Sequence, residues 1–144
     1  MLLLKVHDPS GTEPPFWITP GGGIEAGEEA AEAAARELRE ESGLEVAPSA
    51  LGHVVATSRG EWEFEGEPLY TESVHFHVRT AAFAIDETRW SDEERRYVLE
   101  WRWWTPEEVE RSDEIVFPPL LSALARRLHR GDVPEVPVQL PWSH

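Results

Sequence analysis

Apolar and polar positions cluster and space out along this chain in ways that mark its elements. Leu2 to Val6 is a short apolar run and reads as a buried strand. A turn-rich stretch follows, with Asp8, Pro9, Ser10 and Gly11, then Pro14 and Pro15. Phe16, Trp17 and Ile18 read as a second strand, stopped by Pro20 and the glycines after it. From about Glu28 to Ser42 the chain is rich in Ala, Glu, Leu and Arg, which favour helix. Ala30, Ala34 and Leu38 recur there at i, i+4 and i+8 as a narrow stripe expected to be buried. Gly43 stands where such a helix stops. Leu51 to Thr57, Trp62 to Phe64 and Ser73 to Phe83 read as strands, with Gly60 and Gly66-Glu67-Pro68 as turns. A further strand is expected over Val98 to Trp104. Thr105-Pro106-Glu107-Glu108 then makes a compact helix start: Thr105 caps, Pro106 suits the first helical position and Glu108 closes a capping box. The last helix is expected from about Pro118 to Arg130, with Leu120, Leu121, Leu124 and Leu128 as its apolar face. Arg126, Arg127 and Arg130 sit at its C-terminal end, before Gly131. The rest holds three prolines and reads as an extended, partly mobile tail. The expected division is therefore a domain over 1–131 and a tail over 132–144. The uneven alternation of strands and helices points to an α/β fold with a mixed sheet and helices packed on it.

Length and charge narrow what such a fold can do. The chain's 144 residues are one domain's worth, enough to bury a core without staples. There is no cysteine, which excludes disulfides, thiolate nucleophiles and Cys-ligated zinc. Acidic residues outnumber basic ones 28 to 13, for a net charge of −15. Such a surface repels phosphate backbones and anionic lipid, so neither non-specific nucleic-acid binding nor membrane binding is expected. An anionic substrate needs a metal cation between it and this protein. No stretch approaches the roughly 18 apolar residues of a membrane span. The opening Met-Leu-Leu-Leu-Lys is too short and wrongly ordered for a secretory signal, and a cytoplasmic protein is expected.

The chemistry is concentrated between Gly22 and Leu44. Gly21-Gly22-Gly23 lets the backbone approach a neighbour closely, and a helix follows. On that helix Glu37, Glu40 and Glu41 stand at i, i+3 and i+4, so their carboxylates share one face. Like charges at this spacing repel by a few tenths of a kcal/mol per pair on a solvated helix, and by more where the face is enclosed. A hard divalent cation resolves that conflict. Oxygen ligands with no nearby His or Cys favour Mg²⁺ or Mn²⁺ over zinc. Arg36 adjoins the cluster, and Glu32, four residues earlier, is placed to pair with it. Taken alone, the run is also the pattern of a solvated, Glu-rich helix.

The whole segment decides between these readings. It resembles the Nudix box, G-x5-E-x7-R-E-U-x-E-E-x-G-U with U a bulky aliphatic, at every fixed position: Gly22, Glu28, Arg36-Glu37, Leu38, Glu40-Glu41, Gly43 and Leu44. Trp17-Ile18-Thr19-Pro20-Gly21-Gly22 is similar to the family's strand entering the box. Glu100-Trp101-Arg102-Trp103 with Pro106-Glu107-Glu108-Val109 is similar to its late strand and following helix. The resemblance implies a Nudix fold, an α/β/α sandwich around a mixed β-sheet. It implies metal-dependent hydrolysis of a pyrophosphate bond in a nucleoside diphosphate linked to another group, such as a nucleoside triphosphate or nucleotide sugar. Glu37, Glu40 and Glu41 become ligands for Mg²⁺ or Mn²⁺, helped by a backbone carbonyl at Gly21-Gly22. Arg36 and Glu28 orient them. Glu37 is the expected general base. Glu93, Glu94 and Glu100 are downstream candidates, of which Glu100 is preferred. A Nudix-fold binding module without catalysis is the rival, and three mutually repelling carboxylates argue against it.

Other residues add less. His75 and His77 alternate along an expected strand and share one face; half-burial in the strand explains them as well as substrate contact does. Trp101 and Trp103 share a strand face opposite Trp104, and core packing is the simpler reading. Trp62, between Gly60 and Gly66, is the better candidate for stacking on a base. Nudix domains usually begin with a strand before the one that Leu2 to Val6 resembles. Its absence is expected to leave a bare sheet edge that destabilises the chain or is covered by a partner chain, as in a homodimer. Arg59 and the Gly60-Glu61-Trp62 stretch stand where relatives that cleave ADP-ribose or diadenosine polyphosphates carry their marks, a proline and a tyrosine, so the substrate stays open.

Overall fold

A computed structural model describes residues 1–143. The strands are β1 (Leu2–Val6), β2 (Phe16–Ile18), β3 (Ala56–Phe64), β4 (Glu67–His75), β5 (Val98–Trp103), β6 (Val116–Phe117) and β7 (Val138–Gln139). The α-helices are α1 (Ala30–Ser42), α2 (Asp92–Tyr97), α3 (Pro106–Arg111) and α4 (Leu121–His129). They form a mixed α/β fold with two mixed sheets, where the sequence suggested one. Four strands run in the order β5-β1-β2-β6, and three in the order β4-β3-β7. In each sheet one pair is parallel, β2 with β6 and β3 with β7, and the others are antiparallel.

Strand β1 lies inside its sheet, paired with β5 on one side and β2 on the other. The bare edge expected beside it does not exist. Pairing register assigns the two faces of this sheet. Leu3, Lys5, Trp17, Glu100, Arg102 and Val116 stand on one, and Leu2, Leu4, Ile18, Trp101, Trp103 and Phe117 on the other. The first face packs Leu3, Trp17, Trp104 and Val116 against Leu121 of α4, with Val109 of α3 alongside. The second packs Leu2 and Leu4 against Ile85 and Trp90, with Trp101 and Trp103 around them. Helix α4 also serves the three-stranded sheet, where Leu124 and Leu128 meet Val55, Ala56 and Leu140.

Local departures from the expected elements have specific causes. Within α1 the buried positions are Ala33, Ala35 and Ser42, not Ala30, Ala34 and Leu38. A 3₁₀ turn occupies Pro48–Leu51, and β3 starts only at Ala56 but then runs straight through Gly60. Glu65 and Gly66 form the hairpin turn, and Pro68 sits in β4, a strand with only one partner, where a missing N–H costs nothing. The strand expected over Ser73 to Phe83 ends at His75. Leu120 is not on the apolar face of α4: it precedes the helix with φ +66° and is 62% exposed. The segment expected as a tail is extended and carries β7, which pairs with Ala56 and Thr57, while Leu140 is 3% exposed. No helix among the described residues is long and apolar enough to cross a membrane.

Candidate active site

The site is built where the glycine loop after β2 meets α1. Helix α1 starts beyond Gly27, whose φ of +80° turns the chain into it. The Glu32 carboxylate accepts the Glu29 N–H at 2.7 Å, satisfying one of the open donors of the first turn. That use takes Glu32 away from Arg36, the partner its spacing suggested. Helix α1 ends at Gly43, with φ +81° and its N–H on the Arg39 carbonyl at 2.9 Å.

Arg36 ties loop to helix. Its Nε and Nη2 donate to the two carboxylate oxygens of Glu28 at 2.8 and 3.0 Å, a bidentate pair, and Nη2 also donates to the Gly23 carbonyl at 2.9 Å. Its Nη1 donates to Glu37 Oε1 at 2.7 Å and to Glu40 Oε2 at 3.3 Å. Glu28 accepts the Glu25 N–H at 3.0 Å as well. The Arg36 guanidinium and that N–H hold the Glu28 carboxyl down at about 2. Arg36 is itself held more firmly protonated by Glu28 and Glu37.

The carboxylates inside this frame are in the opposite state. Burial raises Glu37 above the usual carboxylate range, against the pull of Arg36. Glu41 is pushed up to about 8, first by burial and then by the charges of Glu37, Glu94 and Glu40. Its one hydrogen bond among the described residues is from the Gly21 N–H, at 3.0 Å to Oε2. Glu40 is more open, with 41% of its side chain exposed. Gly22 lies so close to Glu37 that a Cβ there would run into its carboxylate. Trp90 fixes the far end of the helix by donating its indole N–H to the Glu41 carbonyl at 2.8 Å.

The sequence-derived set Gly22, Glu28, Arg36, Glu37, Glu40 and Glu41 is thus brought together. Among the described residues no three acidic or histidine side chains converge into a ready metal cage, because Glu37 is turned to Arg36 and Glu41 to the Gly21 amide. The donor chemistry nonetheless fits a hard cation: three oxygen donors, like-charged, two of them raised by burial. Glu100 is not part of the set. It shares the Lys5 and Arg102 face of its sheet, lining a 390 Å³ hollow with Trp17, Trp104 and Glu114, whereas Trp90 binds α1 from the opposite face. A two-residue strand period puts Glu100 opposite Trp101, and the pairing of β5 with β1 settles which of those faces meets α1. The downstream carboxylate that acts on Glu37 and Glu41 is Glu94, at the start of α2.

Trp62 is on β3, 36% exposed, with its indole N–H on Thr71 Oγ1 at 2.6 Å and its ring edge-on to Phe64. His75 closes β4 beside Ser58 Oγ at 3.3 Å, and burial lowers its pKa. His77 lies beyond the strand; burial and the Arg79 charge lower its pKa too.

A family model for the NUDIX domain matches residues 1–124, which include the loop, α1 and Glu94. The chain belongs to the Nudix family. The fold is also similar to that of the E. coli ORF135 protein. Its solution structure superposes with a TM-score of 0.52 at 24% identity, over 94% of this chain and 84% of that one. No curated protein sequence matches the chain significantly. For this Nudix protein the match explains why glycine loop, arginine frame and carboxylate face occur in one segment of 23 residues: Gly22 to Leu44 is a complete Nudix box.

Proposed function

We propose that this Nudix protein is a metal-dependent pyrophosphohydrolase that cleaves a diphosphate bond in a nucleoside diphosphate derivative, a nucleoside triphosphate, nucleotide sugar or similar molecule. The observation that carries the reading is Glu41: a partly buried carboxylate, pushed up to about 8, with one amide for a partner among the described residues and like charges around it. An ionised group so placed is costly until a cation arrives. Glu37, Glu40 and Glu41 would hold Mg²⁺ or Mn²⁺, with a carbonyl of the Gly21-Gly22 loop. When bound, the metal neutralises the diphosphate, polarises phosphorus and acidifies a water.

The chain's own residues supply position. Arg36 and Glu28 hold the loop against α1 and aim Glu37. Gly22 gives that carboxylate its room. Glu37 takes the proton from the attacking water, with Glu94 as the downstream alternative. The net charge of −15 keeps the substrate a small, metal-complexed nucleotide and not a nucleic acid.

The test is release of phosphate or nucleoside monophosphate from a panel of nucleoside triphosphates, nucleotide sugars, ADP-ribose and dinucleoside polyphosphates, with Mg²⁺ and with chelator. Turnover of one class that stops in chelator is expected. Turnover untouched by chelator contradicts the reading. The separated carboxylates favour a second reading, a nucleotide-binding module with little catalysis. Nucleotide binding without turnover in Mg²⁺ or Mn²⁺ selects it.

A further inference from the structure

The seven tryptophans have distinct situations. Trp17, Trp90 and Trp104 are buried in the core, and Trp101 and Trp103 pack against it. Trp62 stands toward the hairpin end of β3, committed to Thr71 and Phe64. Trp142 differs from all of these. It comes from the last residues of the chain, carried past β7, and its indole is seated on the backbone of Gly60 where any Cβ would collide with the ring. Its N–H donates to the Glu61 carbonyl at 2.9 Å, which fixes the ring on β3. Its centroid is 5.1 Å from that of Phe117, with the two planes at 85°. Phe16 stands edge-on to Phe117 as well, at 6.3 Å.

Phe117 places this aromatic corner relative to the carboxylates. It pairs with Ile18 on β2, on the sheet face from which Trp90 reaches Glu41. Ile18 is three residues before Gly21, whose amide holds the Glu41 carboxylate. β2 ends at Ile18 and the chain bends at Pro20, so these three residues reach at most about 10 Å. For a molecule with its phosphates at the glycine loop, Trp142 and Phe117 are then close enough, and on the same sheet face, for a ring attached through a sugar to reach. Two perpendicular aromatic planes, one pinned by an N–H donor and a glycine notch, give a flat ligand one face to lie on and one edge to abut.

We propose that Trp142, seated on Gly60 and set against Phe117, is the stacking platform for the substrate's nucleobase. It makes the C-terminal segment a specificity element of the site. This rests on the hydrolase reading above for where the phosphates lie. The platform reads aromaticity and not a hydrogen-bond pattern, so it selects nucleoside derivatives over base-free diphosphates more than one base over another.

The test is equilibrium binding of the four nucleoside monophosphates and of ribose 5-phosphate, by calorimetry, to wild type, Trp142→Ala, Trp142→Phe and Gly60→Ala. Wild type is expected to prefer the nucleotides. Trp142→Ala lowers the ratio of nucleotide to ribose 5-phosphate affinity by about 10- to 100-fold, the range of base–aromatic stacking. Trp142→Phe restores most of that ratio, and Gly60→Ala, which lifts the indole from its notch, lowers it with the indole still present. A ratio within twofold of wild type in both Trp142→Ala and Gly60→Ala overturns the platform. A loss in Trp142→Ala that Trp142→Phe leaves unrepaired overturns it too, since the residue then only anchors the tail. If the platform fails while wild type still hydrolyses nucleotides, the hydrolase reading stands. If wild type neither binds nor hydrolyses any nucleotide, both fall.

Discussion

Glu41 carries two opposed demands in one side chain, and pH separates them. A carboxyl raised from 4.5 to about 8 holds its proton more tightly in the folded chain than in the unfolded one across that window. The folded state therefore loses stability as pH rises from about 4.5 to about 8, on the order of a few kcal/mol from this group. Glu41→Gln keeps an acceptor for the Gly21 amide and removes the charge. In chelator, its melting temperature is expected to match wild type near pH 5 and to exceed it near pH 8. A second expectation concerns Gly22. Gly22→Ala forces a methyl into the Glu37 carboxylate. The variant is expected to lose about 10- to 100-fold in turnover or metal affinity, the usual cost of disturbing what orients a ligand. Urea melts should show it within about 1 kcal/mol of wild type, because the loop is exposed. A loss of fold equal to the loss of rate would make Gly22 a structural glycine only. At this scale the sequence was most readable where chemistry is local. The box residues lie within one loop and one helix, so spacing alone assembles them. Glu100 was not readable in the same way, because which face of β5 it occupies depends on pairing with β1.

Elements that read well from sequence are those whose ends are coded nearby. Helix α3 starts where Thr105, Pro106 and Glu108 place it, with Thr105 Oγ1 accepting the Glu108 N–H at 3.1 Å. Helix α1 stops at Gly43 for the same kind of reason. The β3–β4 hairpin and β7 were misread because their reasons are distant. Gly60 looks like a turn, yet it is a strand glycine that makes room for Trp142, 82 positions along the chain. Three prolines between Gly131 and His144 suggest an extended, partly mobile tail, and nothing local announces that Leu140 ends in the core beside Leu124 and Leu128. Leu140→Ala is accordingly expected to cost about 2–5 kcal/mol, the range for an emptied leucine site, measured by urea unfolding. A cost under about 0.5 kcal/mol would mean that the segment does not pack on the three-stranded sheet.

Across the whole molecule the two sheets share α4, and the glycine loop and α1 sit on the far side of the four-stranded sheet from it. The fold class was legible because helices and strands announce themselves by period. The split into two sheets was not, because sheet membership is settled by long-range pairing such as β3 with β7. The net charge of −15 acts on all of it. Raising monovalent salt from about 0.01 to 0.15 M shortens the screening length from about 30 to about 8 Å, so the melting temperature is expected to rise by a few degrees. A fall would show that attractive pairs such as Arg126 with Glu107 and Glu110 outweigh the overall repulsion.

Divalent metal should do more than screening, and do it through one residue. The most direct measurement is the melting temperature of wild type and Glu41→Gln at pH 8, titrated with Mg²⁺ at constant ionic strength. Wild type is expected to start lower and climb with Mg²⁺, while Glu41→Gln starts higher and barely responds. Equal responses in the two proteins, or none in wild type with either Mg²⁺ or Mn²⁺, would contradict a metal held by the partly buried carboxylate.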